Sequence, residues 1–373
     1  MKNPFFLKPL PLSAPFCDRE KELKDLVKHA ENSADVVLSS PRRYGKTSLV
    51  KRAQNNLYKK GIITVYVDFF GVTSIEDVAA KLAVGIYSVI YKKDTIFKKA
   101  INYFSSLRPV IRPDSESGVA ITVEITKGKT GSQLLEDTMK GFSEFLKSGK
   151  ISCNIALDEF QEITELKDSG AIEGIMRAYI QDQQNVSYFF IGSRRRILLD
   201  IFNNEKRPFY KSAIHYSLPP LPYDGTVKYL LKMFKVNGKD CPEIIAGNIY
   251  KITEGYPYYI QKLSYYTFEV EKEKVSEKNL QEGVNQLLAE ETPLFEMMLQ
   301  NLHPGQVSFL IALSKEPTAT PFNTDYLNAH NLGSLGGVQS AMKKLTSLDY
   351  IEKTASSWKV VDPIFTLWLN RKG

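Results

Sequence analysis

Short runs rich in β-branched and aromatic residues recur along the chain at 36–39, 62–69, 151–157, 186–191 and 213–218, separated by segments of helical length. Strands that alternate with helices predict an α/β fold, a mostly parallel sheet covered by helices on both faces. The helix after the first strand continues over 49–58 and ends at Gly61, because glycine takes the left-handed conformation that closes a helix. Two more helices are expected between 75 and 107, and another around 171–183. The segment 108–129 breaks this rhythm. Pro109, Pro113 and Gly118 flank the alternating stretch Val119-Ala120-Ile121-Thr122-Val123-Glu124-Ile125-Thr126, which reads as a strand or hairpin outside the central sheet, or as an ordinary surface excursion. Gly128 and Gly131 are expected to make it mobile. Pro219-Pro220-Leu221-Pro222 then stops the last sheet strand, since proline brings no amide donor to a ladder.

The first strand runs into a turn whose residues carry chemistry: Ser40-Pro41-Arg42-Arg43-Tyr44-Gly45-Lys46-Thr47-Ser48. In the pattern G-x-x-x-x-G-K-[ST] the loop amides wrap phosphates, the lysine reaches the β- and γ-phosphates and the hydroxyl ligates Mg²⁺. Lys46 and Thr47 fill those two roles, and only the first glycine is replaced, by Ser40. Serine is small but resists the positive φ that glycine takes freely. The side chains of Arg42 and Arg43 lie within the loop and so close to any nucleotide there.

A second run, Ile151-Ser152-Cys153-Asn154-Ile155-Ala156-Leu157-Asp158-Glu159-Phe160-Gln161, ends a predicted strand in two adjacent carboxylates. They have two readings. Acidic residues favour helix N-termini, so the pair can cap a helix after Phe160. Alternatively, Asp158 holds Mg²⁺ and Glu159 polarises the attacking water, the arrangement of a phosphoryl-transfer site. The upstream phosphate loop favours the second. Further on, Ser193 ends the strand of Tyr188-Phe189-Phe190-Ile191-Gly192-Ser193-Arg194-Arg195-Arg196. Its hydroxyl can sense the γ-phosphate. The three arginines are either a solvated basic helix start or include one that stabilises transition-state charge, in cis or from a neighbour.

Composition narrows the class without naming the function. The chain has 373 residues, of which 43% are hydrophobic and 24% charged, enough for two or three domains with real cores and too apolar for disorder. No run spans a bilayer, so no membrane partner is expected. The N-terminal stretch to Pro11 is interrupted by Lys8 and repeated prolines and reads as an extended strap rather than a signal peptide. Cys17, Cys153 and Cys241 are scattered and lack metal-site spacing, which points to a reducing, cytoplasmic setting. The formal net charge of +7 is weak evidence for nucleic acid.

The residues together resemble the archaeal-type ATPases, of the STAND class of signal-transduction NTPases within the wider AAA+ group. The resemblance rests on the runs Ser-Pro-Arg-Arg-Tyr-Gly-Lys-Thr-Ser-Leu, Leu-Asp-Glu-Phe-Gln and Ile-Gly-Ser-Arg-Arg. It extends to Phe16-Cys17-Asp18-Arg19-Glu20-Lys21-Glu22-Leu23, similar to an element that packs near the adenine, with Asp18 where glycine is usual. It also reaches Thr253-Glu254-Gly255-Tyr256-Pro257, where Gly-x-Pro is either a lid element against the base or a good turn between helices. The resemblance implies Arg19 and Pro257 as nucleotide-binding residues beside the loop, and ATP with Mg²⁺ as cofactors. It implies a P-loop NTPase sheet sandwiched by helices over 1–218, a helical lid over 219–290 with helices from about 223 to 289, and a winged-helix domain over 291–373.

That last domain is also outlined by its pattern. An amphipathic helix over 304–313, a glycine-rich turn over 332–337, a helix over 338–348 and two β strokes at 350–353 and 357–361 follow one another. Lys343, Lys344, Lys353 and Lys359 offer a modest basic surface for DNA, yet Asp349, Glu352 and Asp362 lie among them. An internal brake or a surface for a protein partner is preferred over DNA, and an oligomer is compatible with both. Three functions remain open: an ATP-driven switch that hydrolyses slowly, an ATP-regulated DNA-binding protein of the origin-recognition or mobile-element type, and a nucleotide-binding protein without turnover.

Overall fold

The computed structural model describes residues 3–8, 10–91, 106–114, 118–126, 128–269 and 273–372. Packing divides the chain into two compact units. A sheet unit comprises residues 20–42 and 46–218, and a helical unit comprises residues 1–19, 43–45 and 219–373.

The sheet unit runs α1 (Glu20–Glu31), β1 (Val36–Ser39), α2 (Lys46–Lys59), β2 (Ile63–Asp68), α3 (Ile75–Ile90), β3 (Leu107–Asp114), β4 (Gly118–Ile125), α4 (Gly131–Gly149), β5 (Cys153–Asp158), a 3₁₀ helix (Phe160–Glu165), α5 (Ser169–Ile180), β6 (Val186–Gly192), α6 (Arg195–Asn203) and β7 (Ile214–Ser217). Of the two helices expected between 75 and 107, the first is α3, and the second falls outside the described residues. Five strands form one sheet in the order β2-β5-β6-β1-β7, and every pairing is parallel. The fold is the α/β sheet the periodicity predicts. β1, β5 and β6 are buried at every position, as strands covered on both faces must be.

Side chains alternate across such a sheet, and the two faces differ in chemistry. On one, Val37, Val65, Val67, Ile155, Leu157, Tyr188 and Phe190 join the apolar core that also takes in α3, α4, α5 and α6. Phe160, Phe190, Phe202 and Phe209 pack at its centre with ring centroids 4.8–5.6 Å apart from neighbours such as Phe160–Phe190 and Phe160–Phe209. Each such ring contributes roughly 1.5–3 kcal/mol by leaving water. The other face, toward α2, carries a polar thread: Gln54 Nε2 donates to Asn154 Oδ1 at 3.1 Å, and Asn154 Nδ2 donates to Ser187 Oγ at 2.9 Å. Buried amides paired in this way cost little.

β3 and β4 form a separate antiparallel hairpin. Among the described residues β3 has a partner strand on one side only, which is where proline is tolerated in a sheet, and Pro109 and Pro113 both lie in it. Gly131 departs from expectation. It opens α4 behind a Thr130–Gln133 capping box, and a Cβ there would overlap the Ile75 and Glu76 side chains. Its role is close approach between helices rather than mobility.

The helical unit comprises α7 (Tyr223–Val236), α8 (Glu243–Thr253), α9 (Pro257–Glu269), α10 (Glu277–Gln300), α11 (Pro304–Lys315), α12 (Thr324–Ala329), α13 (Leu335–Ser347), β8 (Ile351–Lys353), β9 (Trp358–Val360) and α14 (Pro363–Lys372). The N-terminal strap belongs to it: the Phe5 ring lies 5.1 Å from Phe234 and 6.2 Å from Phe268. α10 is continuous through residue 290 and contains Pro293. α13 starts earlier than the 338–348 expected from sequence. Ser334 Oγ accepts from the Gly337 amide at 3.3 Å, and this N-cap draws Leu335, Gly336 and Gly337 into the first turn. α11, α13 and the β8–β9 hairpin are the winged helix. It is tied to the preceding helices by Trp368 Nε1 donating to Thr292 Oγ1 at 2.9 Å, by the Tyr256 hydroxyl donating to the Val361 carbonyl, and by a Phe295–Phe365 contact at 4.8 Å. Lys343, Lys344 and Lys353 are exposed, whereas Lys359 pairs with Glu254 at 2.9 Å. All three cysteines are buried, and none is in a disulfide among the described residues.

Candidate functional site

β1 ends at Ser39 and α2 begins at Lys46, so the loop between them delivers its amides and the N-terminal turn of α2 to one place. That end of a helix attracts anions. Ser40 is fully buried and is absent from the residues with positive φ, which in this loop are Arg43 at 70° and Gly45 at 77°. The glycine that the pattern needs for its conformation is therefore Gly45, and Ser40 causes no backbone strain. The Ser40 hydroxyl is buried and has no hydrogen-bond partner among the described residues. Lys46 Nζ donates to the carbonyls of Ser40 at 2.9 Å and Pro41 at 3.0 Å. Burial pushes the Lys46 ammonium down to about 8, opposed by Glu159 and Asp158 and assisted by Arg195 and Arg42. Arg195 and Arg42 are thus the arginines that share the electrostatic neighbourhood of Lys46.

Thr47 Oγ1, in the first turn of α2, donates to Asp158 Oδ2 at 2.9 Å. Asp158 Oδ1 accepts from the Glu159 amide at 3.0 Å, and the Tyr66 hydroxyl donates to Oδ2. Two hard oxygens beside a phosphate loop suit Mg²⁺, which is held by one or two protein groups together with substrate phosphates and water. Among the described residues there is no cluster of three or more His, Cys, Asp or Glu that would suit another metal.

Glu159 sits in the left-handed region at φ 50° and makes no capping bond to the 3₁₀ helix that follows. Its Oε2 accepts instead from Ser193 Oγ at 2.9 Å, from the Ser193 amide at 3.3 Å and from Gln161 Nε2 at 2.5 Å. The strand pairing explains the meeting: β5 and β6 are neighbours in register, so their C-terminal ends place Glu159 and Ser193 side by side. Of the three arginines after Ser193, Arg194 is committed to Glu162 at 2.6 Å and to Glu165, and Arg196 is exposed.

The remaining residues singled out from sequence pack within the helical unit. Arg19 is buried and donates from Nη2 to the Pro219 carbonyl at 2.5 Å. Asp18 takes φ 55°, a value that glycine adopts freely and aspartate tolerates better than most residues. The Tyr44 ring meets Tyr256 edge-on at 4.5 Å, and a Cβ on Gly45 would lie 3.9 Å from Pro257. Arg43 Nη1 donates to Glu291 Oε2 at 2.8 Å and to the Tyr259 hydroxyl at 2.7 Å, with its guanidinium carbon 4.4 Å from the Tyr258 ring centre. Lys262 reaches the other Glu291 oxygen at 2.8 Å, and the Tyr259 hydroxyl donates to Asp362 at 2.6 Å.

Ser40, Pro41, Lys46, Thr47, Asp158, Glu159 and Ser193 are thus linked in the sheet unit, with Arg42 exposed and Ser48 in the first turn of α2. Arg19, Arg43, Tyr44, Gly45 and Pro257 lie in the helical unit. The sequence assigns no role at the site to Tyr66, Gln161, Glu291, Tyr259 or Asp362. Tyr66 left one signal, a large hydrogen-bonding side chain at every-second-residue spacing from Asp68.

A sequence family described as an ATPase domain predominantly from Archaea matches residues 16–263, and a probable winged helix domain matches residues 293–371. Among curated proteins none matches. Among solved structures, a Walker-type ATPase of Pyrococcus abyssi is similar over 98% of this chain and 99% of its own, with TM-score 0.72 at 17% identity. The Aeropyrum pernix ORC2 protein, solved with ADPNP and ADP, is similar over 98% and 96%, with TM-score 0.60 at 14% identity. The Aeropyrum pernix ORC1 protein, solved in complex with DNA, covers 98% and 95%, with TM-score 0.52 at 13% identity. At these identities the likeness is one of fold. Among the described residues no helix is long and apolar enough to cross a membrane.

Proposed function

From the premise that this chain belongs to the family of ATPase domains found predominantly in Archaea, we propose that it is a STAND-type, AAA+-like switch that binds Mg-ATP and hydrolyses it slowly. The observation that carries the reading is the linked set in the sheet unit: Lys46 at the head of α2, Thr47 bonded to Asp158, and Glu159 bonded to Ser193. Lys46 exchanges its carbonyl partners for the β- and γ-phosphates. Thr47 and Asp158 would hold Mg²⁺, which would supply positive charge to shield and orient the phosphates. Glu159 orients and polarises the attacking water, and Ser193 senses the γ-phosphate while fixing the Glu159 carboxylate. The loop from Ser40 to Ser48 supplies amides and, with Arg42, positive potential. Arg19 and Pro257 serve the base.

In this reading nucleotide state controls the arrangement of the lid helices and the winged helix. The pairing of Lys359 with Glu254 takes one of the wing's lysines out of a DNA-facing surface and favours an internal brake or a surface for a protein partner. The test is Lys46→Ala, followed by ATP titration and by limited proteolysis with and without ATP. Loss of ATP binding, together with loss of any ATP-dependent change in cleavage beyond residue 219, supports the reading. Wild-type affinity in the variant sinks it.

A further inference from the structure

Tyr66 lies on β2, which runs parallel to β5 with Tyr66 opposite Ala156 and Asp68 opposite Asp158. Alternate residues of a strand share a face, so Tyr66 and Asp158 are both on the face that α2 covers, one pleat apart along the strands. A tyrosine at this point spans the pleat and delivers its hydroxyl to the carboxylate, which a shorter side chain would not reach. The hydroxyl donates to Asp158 Oδ2, the oxygen that also accepts from Thr47 at 2.9 Å, while Oδ1 takes the Glu159 amide at 3.0 Å. Lys51 Nζ, from α2, lies 5.0 Å from the centre of the Tyr66 ring. The carboxylate therefore has three donors, from α2, from β2 and from the turn that follows β5, and only Thr47 is expected to turn to the metal.

We propose that Tyr66 is a positioning residue for the metal site: its hydroxyl holds the Asp158 carboxylate in the orientation that receives Mg²⁺ with the nucleotide. The inference rests on the Mg-ATP reading of the same site. With Thr47 committed to the ion, Tyr66 and the Glu159 amide are the donors left to steer the carboxylate. Outer partners of this kind typically change metal affinity 10- to 100-fold when removed, without touching the nucleotide.

The test uses the full chain and its Tyr66→Phe variant, which loses one oxygen and keeps the ring. ADP affinity is measured in EDTA, and Mn²⁺ affinity of the ADP-bound protein is followed by the electron paramagnetic resonance of free Mn²⁺. The expected result is unchanged metal-free ADP affinity and Mn²⁺ binding weakened by about 10-fold. Tyr66→Leu, lacking the ring as well, shows the same split and carries the test should the first variant fold poorly. Wild-type Mn²⁺ affinity in both variants overturns the inference alone, as does an equal loss of metal-free ADP binding. A wild-type chain with no ADP-dependent Mn²⁺ site overturns the nucleotide reading and this inference with it.

Discussion

At the level of single residues, Lys46 is the group whose protonation the proposed function ties most directly to ligand. Buried against two carbonyls, it has its pKa pushed down to about 8. A lysine in the unfolded chain titrates near 10.4. Between about pH 8 and 10.4 the folded, ligand-free protein therefore binds fewer protons than the unfolded one, and stability attributable to Lys46 rises with pH across that window. Phosphates reverse the balance, because an anion on the ammonium favours its charged form. ATP binding near pH 8 is then expected to take up about half a proton, and almost none at pH 6. Calorimetry of the wild-type chain in buffers of different ionisation enthalpy, at pH 6 and pH 8, reads this directly. Uptake of the same size at both pH values assigns the proton to another group. The identity of Lys46 was legible from spacing alone. Its carbonyl partners were not, because they depend on how the loop turns: Ser40 was the suspected weak point, while the left-handed residues are Arg43 and Gly45.

At the scale of elements, strand and helix positions in the sheet unit were legible because apolar runs and helical lengths alternate so regularly. What escaped was decided by close approach. Gly131, expected to make its segment mobile, is a helix start pressed on α3, and Gly192, the last residue of β6, is as crowded. At Gly192 a Cβ would overlap Gln161 Oε1 and come 3.3 Å from Leu198 Cδ2. Gln161 is fully buried and its amide nitrogen holds Glu159, so it has little room to yield. Gly192→Ala should cost about 1–3 kcal/mol, the usual range for overpacking, read as a lower denaturant midpoint with unchanged slope. It should also slow hydrolysis more than it weakens ATP binding, since the displaced group positions Glu159 and does not hold phosphate. A variant as stable as wild type would show that β6 and the 3₁₀ helix separate freely.

At the scale of the whole molecule, chain order and packing part company, and this was the least legible level. Residues 43–45 sit in the middle of the phosphate loop by sequence yet pack with 219–373. Arg43 was read as a nucleotide contact because of its place in the motif, and its partners were invisible because Glu291 lies 248 residues away. The cluster is unusual in being buried and charged: the Glu291 side chain is 4% exposed, Lys262 9% and Arg43 25%. Although burial alone would raise it, Glu291 is held below the usual carboxylate range by Lys262 and Arg43. Its contribution to stability is thus present above the ordinary glutamate pKa and lost as pH falls through the lowered one. Removing one partner of a buried pair leaves the other uncompensated, at about 3–5 kcal/mol. Glu291→Ala strands Arg43 and leaves Lys262 only the more exposed Glu290 at 3.0 Å, and should approach that figure, whereas Arg43→Ala leaves Lys262 on Glu291 and should cost less. In a double-mutant cycle the two changes should be non-additive by about 0.5–3 kcal/mol, the span found for residues in one network. Additive losses in chemical denaturation would mean that Arg43 and Glu291 stabilise the helical unit independently, through the Tyr258 and Tyr259 rings on one side and Lys262 on the other.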